Sequence, residues 1–155
     1  MKPKAQPSEI LDRQPPCDKA AEMAVVGSLM LDPRKRERVG QIVRGQDFYI
    51  DCARLCFESL MTLDSLDSIL LLDSMRVSGR LKEAGGAAFL AECIASVAVA
   101  EHAEHYARIV AETARKREMI ELNTKSLVAL YSGKWTASEL ATRQIERLKE
   151  LVHSP

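Results

Sequence analysis

Hydrophobic residues recur along this chain at helical spacing, and nowhere do they sustain the period-two alternation of a strand. Between Pro15-Pro16 and Asp32-Pro33 lies Asp18-Lys-Ala-Ala-Glu-Met-Ala-Val-Val-Gly-Ser-Leu-Met-Leu-Asp32, in which Ala20, Ala21, Ala24, Val25, Val26, Leu29 and Met30 wrap most of a helix with carbon. A helix apolar nearly all round belongs at the centre of a small helical domain. Asp18 is its expected N-cap, with a carboxylate able to accept from backbone N–H groups one turn on. Asp32 and Pro33 end it and open a second helix as N-cap and first helical residue. Val39, Ile42 and Val43 give that second helix its stripe, with Arg34, Lys35, Arg36 and Arg38 facing water and Gly45 closing it.

Further along, a turn carries Phe48 as a core plug. A third helix is predicted from Asp51 to Leu63, with Leu55, Cys56, Phe57 and Leu60 inward. A fourth, capped by Asp67 or Ser68, runs Ile69 to Val77 and stops at Ser78-Gly79; Gly85-Gly86 then marks a break before a small-residue helix, Ala87 to Ile94. From Glu101 the pattern changes. Tyr106, Val110, Thr113, Arg117, Ile120, Thr124, Leu127 and Tyr131 follow steps of four and three with no Gly or Pro between them, a heptad-like stripe. Gly133 supplies the stop. Thr136-Ala-Ser-Glu139 has the form of a capping box, and a last helix carries Ala141, Ile145, Leu148 and Val152 on one predicted face.

The expected architecture is therefore all-α: a loose arm over residues 1–14, a compact multi-helix head over 15–97, and a long antiparallel helical hairpin over 101–153. The hairpin's stripe needs a partner beyond its other arm, and a second copy is the economical choice. Tyr106, Val110, Arg117, Ile120, Leu127, Tyr131, Ile145 and Leu148, with Trp135 at the turn, are the candidate dimer or partner-contact residues. A tryptophan at a hairpin tip either packs back on its own helices or anchors a partner.

Composition narrows the chemistry. Lys and Arg balance Asp and Glu at 22 each, so bulk charge gives no support to a dedicated polyanion binder. The basic runs Arg34-Lys-Arg-Glu-Arg38 and Arg115-Lys-Arg117 read as solvated helix faces. No apolar run approaches the ~20 residues of a bilayer span, and no apolar stretch follows the basic N-terminus, so a cytoplasmic home is expected. The four cysteines form no Cys-x-x-Cys pair and suit buried, reduced thiols. Cys52 and Cys56 with His102 and His105 have permissive spacing within each pair for a metal, yet Cys56 lies in an apolar stripe, which favours packing. Gly133-Lys134 precedes Trp135 and lacks the upstream glycine of a phosphate-binding loop. No cofactor and no catalytic residue is expected.

Four motifs in order resemble one family. Pro16, Ala21, Glu22, Val25, Gly27, Leu29, Leu31 and Asp32 match the opening helix of the N-terminal domain of DnaB-type bacterial replicative helicases. Asp47-Phe48-Tyr49 with Arg54 and Phe57 follow; then Gly85, Gly86, Phe89 and Leu90; then Tyr106, Ala107, Ile109, Val110, Ala114, Arg117, Met119 and Ile120. The chain departs from the pattern at Ala20, where Glu is common, at Ala53, where His is usual, and at Asp67-Ser-Ile-Leu-Leu71. The resemblance implies the collar of a hexameric helicase: N-domains that pair through hairpins, assemble as a trimer of dimers, and receive the primase C-terminal, helicase-binding domain. A loader is a further implied partner, and DNA is met only indirectly. With no Walker motif in this sequence, no ATPase activity is expected of it. The competing readings are a free-standing relative that regulates a helicase, a small metal-dependent enzyme, and the helicase-binding domain of primase, which the opening helix fits less well.

Overall fold

The computed structural model describes residues 13–63 and 68–153, which are helical, with no strand among the described residues. Most of the expected arm, and Asp67 as a cap, lie outside them. The opening helix α1 spans Lys19–Leu31, and the Asp18 carboxylate accepts from the Ala21 N–H at 2.9 Å. Asp32 then caps a 3-10 turn, Pro33–Lys35, that leads into the short helix α2, Arg36–Gly40. One longer helix reaching Gly45 was the expectation. The Ile42 and Val43 N–H groups instead both donate to the Val39 carbonyl, at 2.9 and 3.0 Å, so the chain curls after Gly40, a poor helix former.

Helix α3, Asp51–Thr62, buries Ala53, Leu55, Cys56, Phe57 and Leu60. Arg36, expected in water, donates instead to the carbonyls of Leu60 and Leu63, which as the unpartnered end of α3 attract a cation. Helix α4, Ser68–Val77, buries Leu71 and Met75, and α5, Gly86–Ala95, buries Leu90 and Cys93. Gly85, its N-cap, and Gly86, its first residue, both take positive φ, a conformation that glycine adopts without a steric cost.

Helix α1 lies at the centre, packed on α5, on α3 and on the long helix α6, Ala103–Tyr131. Its approach to α5 depends on Gly27. A Cβ built there would stand 2.1 Å from the Cys93 carbonyl oxygen and 2.6 Å from its carbon. Phe48 stacks against Phe57 with ring centroids 4.8 Å apart. The same core takes in Ala103, Ala107, Val110 and Ala111. The first turns of α6 therefore complete the head, whereas the sequence pattern alone divides head from hairpin between residues 97 and 101.

Beyond Ala111, α6 leaves the head's core, stays tied to the head through Arg117, and pairs with α7, Ala137–His153. Gly133, at φ +66°, ends α6. The capping box forms: the Thr136 N–H donates to Glu139 Oε2 at 2.9 Å and the Glu139 N–H to Thr136 Oγ1 at 3.3 Å. Of the apolar face expected on α7, only Leu148 turns toward α6. Leu140, Gln144, Leu148 and Leu151 are its more buried residues, while Ala141, Ile145 and Val152 stay exposed. Gln144 occupies the seam because its amide donates to Asn123 Oδ1 at 3.0 Å, a bond that hydrophobic patterning does not register.

Candidate self-association and docking surface

The long stripe on α6 divides where the helix leaves the head. Tyr106 is half-buried against the head core, its ring edge-on to His102 at 6.4 Å. Val110 is fully buried there and has no surface to offer a partner. Arg117 is occupied within the chain: its guanidinium donates to the Pro16 carbonyl at 2.8 Å and to the Asp47 carbonyl, and lies 5.7 Å from the centre of the Tyr49 ring. Past Arg117 the stripe opens to solvent. Ile120, Leu127 and Tyr131 are exposed at 49, 44 and 86%, and one helix face brings them together.

On α7, Ile145 is exposed, whereas Leu148 is half-buried toward the seam. Trp135 is exposed at 41%, with the Arg143 guanidinium 4.6 Å from its ring centre, a cation–π contact. Sequence reasoning missed Met119, Val128 and Leu130 on α6, all exposed apolar side chains near that stripe. They fall one position off the four-three register, so periodicity alone passes over them. Apolar side chains exposed along one arm make it a candidate interaction surface.

Charge flanks the apolar face. Glu121 pairs with Lys125 at 2.5 Å, and Arg147 crosses from α7 to Glu118 at 3.0 Å and also holds Glu150 at 2.6 Å. Lys125 holds the Glu121 carboxyl below its ordinary range. Between the two arms runs a groove of about 460 Å³ with Leu122, Ser126, Ala129 and Leu140 on its walls and Trp135 at the turn end.

Glu22, one of the opening-helix motif residues, has a role that helical periodicity does not indicate. Its side chain is fully buried, and its two carboxylate oxygens accept from the Tyr49 and Ile50 N–H groups at 2.9 and 2.8 Å. These donors open α3, where backbone N–H groups have no partner within the helix. The charge thus sits at the positive end of a helix dipole.

Of the four cysteines expected to be buried, Cys56 and Cys93 lie in the core and Cys17 and Cys52 are only partly buried. Cys52 Sγ donates to the Glu83 carbonyl at 3.1 Å and Cys56 Sγ to that of Ala84 at 3.8 Å. Burial pushes the Cys56 and Cys93 thiols up to about 12, which keeps them protonated at neutral pH. Among the described residues no group of three or more His, Cys, Asp or Glu side chains is placed to hold a metal ion, and no single helix is long and apolar enough to cross a membrane.

The family model described as "DnaB-like helicase N terminal domain" matches residues 14–112. The chain belongs to that family. It is 35% identical over 118 residues to the replicative DNA helicase DnaB of Leifsonia xyli subsp. xyli, covering 74% of this chain and 26% of that protein. The crystal structure of the N-terminal domain of DnaB helicase from Mycobacterium tuberculosis superposes with a TM-score of 0.80 at 29% identity, over 88% of this chain and 99% of that one. A structure described as a DnaB-like replicative helicase and its interactions with primase shares the fold at a TM-score of 0.68 and 22% identity, over 86% of this chain and 31% of that one. The chain spans 22 to 33% of the length of the curated helicases it matches first. The match covers the head and the first turns of α6, and this sequence holds no Walker motif.

Proposed function

We propose that this domain acts in DNA replication as the collar and docking module of a hexameric replicative helicase in the cytoplasm. In this reading two copies pair through the exposed hairpin face formed by Ile120, Leu127 and Tyr131 of α6, with Ile145 of α7 alongside. The observation that carries it is that face: apolar, unpartnered within the chain, and mounted on an arm whose root is buried in the head. Three such dimers close the ring, and the collar receives the C-terminal domain of primase, the partner with which the 22%-identical fold neighbour is described. A helicase loader is a second visitor to the same collar. Unwinding and ATP hydrolysis belong to a motor that this sequence does not contain, so DNA is engaged only through the assembled helicase.

Multi-angle light scattering of the chain, with and without a cognate primase C-terminal domain, tests this. Self-association at tens of micromolar and a co-eluting complex with primase are the expected results. A strictly monomeric chain that ignores primase would contradict the proposal.

A further inference from the structure

The first turns of α6 are fixed on α1, and farther along the helix fewer groups tie it to the head. The contacts of α6 with the head core come from its first turns, Ala103, Tyr106, Ala107, Ile109, Val110 and Ala111, and end at Ala111. On the side facing residues 40–47 the helix stands away from the head across a cleft of about 750 Å³, lined among others by Gln41, Arg44, Ala114 and Lys125. Arg117 stands at this cleft and reaches back over it. One nitrogen of its guanidinium donates to Pro16, the other to Asp47, and its plane lies by the Tyr49 ring. A planar, multi-donor cation can hold two carbonyls and an aromatic face at once, as a lysine cannot.

The groups that hold Arg117 are themselves held. The Asp47–Tyr49 turn is fixed from below by the Glu22 carboxylate through the Tyr49 and Ile50 N–H groups. The Asp47 carboxylate accepts from the Arg44 N–H at 2.7 Å, and Phe48 stacks on Phe57. A continuous set of contacts therefore runs from buried α1, through the turn, to the root of the free hairpin.

We infer that Arg117 is a latch that sets the angle of the hairpin to the head, with the Asp47–Tyr49 turn and the Pro16 carbonyl as its keepers. This reading concerns geometry within one chain and does not depend on what the hairpin binds. From Arg117 to Tyr131 the helix extends about 20 Å, so a rotation of about 10° at the latch carries the tip about 3–4 Å. A displacement of that size decides whether two side-chain surfaces interlock.

Pulsed electron-spin measurements of distance test the latch on the full chain. Spin labels go at Gln41 and Lys134 in a background with Cys17 and Cys52 replaced by serine, diluted in excess unlabelled protein so that only distances within one chain count. Arg117→Met keeps the apolar stem and removes the donors. It is expected to widen or shift the head-to-tip distance distribution by about 3–4 Å while helix content by circular dichroism stays unchanged. Arg117→Lys should fall between the two. Leu60→Ala, a core truncation far from the latch in role, should lower Tm and leave the distribution of the folded molecules alone. If Arg117→Met does not fold, Tyr49→Leu, at an exposed turn position, decides by the same readout with a smaller shift. An unchanged distribution in the folded variant would overturn the inference, and so would a widening that Leu60→Ala reproduces.

Discussion

Head and hairpin are built from the same helical material and hold it in different ways. In the head, Val25, Val26, Leu29, Leu60, Leu71 and Met75 are all but completely buried, and α1 touches most of its neighbours. In the hairpin, two helices meet along a seam of Leu122, Ser126 and Ala129 against Leu140, Gln144 and Leu151, leaving Ile120, Leu127, Tyr131 and Val152 in solvent. The head builds a core of its own; a two-helix arm has too little interior to do so. The head also exposes Leu31, Ile69, Leu70 and Val77, but the arm carries the longer run of exposed apolar residues, from Met119 to Tyr131.

That contrast can be broken with matched substitutions. Leu60→Ala in the head should cost about 2–5 kcal/mol of unfolding free energy. Leu148→Ala, half-buried in the hairpin, should cost about 1 kcal/mol. Denaturant unfolding of both variants, at concentrations where the chain is monomeric, checks the pair, and equal losses would mean that the two regions share one core. Next in size is Glu22→Ala. It strands the Tyr49 and Ile50 N–H groups in the interior and is expected to cost about 2–4 kcal/mol, with Glu22→Gln losing less because one oxygen acceptor remains.

A smaller effect has the opposite sign. The Ser28 hydroxyl is buried without a hydrogen-bond partner, so Ser28→Ala should raise stability by about 1 kcal/mol, seen as a higher denaturation midpoint with an unchanged slope. The smallest concerns the hairpin alone. Hydrogen bonds from Thr136 hold the Glu139 carboxyl below its ordinary range. A group whose folded pKa is depressed lends stability above its unfolded pKa and loses it as pH falls through the folded value. The start of α7 should therefore loosen at and below the usual glutamate range, and Trp135, the single tryptophan, should report it by fluorescence. Glu139→Gln, which retains the capping bond without the titration, should flatten that response.

Local chemistry was legible in the sequence wherever a residue acts on its own neighbourhood. The Asp18 cap, the Asp32-Pro33 junction, the Gly85-Gly86 break, the Gly133 stop and the Thr136–Glu139 box stand where side-chain type and spacing place them. The readings that went astray depend on a distant part of the chain. Arg36 finds the end of α3, twenty-four residues on, and nothing in its own run of basic residues announces that. On α7 apolar residues lie on two faces, and polarity could not say which one α6 covers, since the seam also takes Gln144. On α6 a single stripe crosses from the head's core to open solvent. Val110 and Ile120 look equivalent in the sequence, and only the three-dimensional packing shows that one is spent inside the chain and the other is left free.

The most direct test of the division between a head with a core of its own and an open arm is the mass of the Ile120→Asp variant. The parent chain at tens of micromolar should scatter with at least twice the 17.2 kDa of one copy. The variant should fall to one copy, with its head still helical and its Tm, measured under conditions where both are monomeric, unchanged. A variant that keeps the parent's mass would show that the exposed hairpin face does not join two copies.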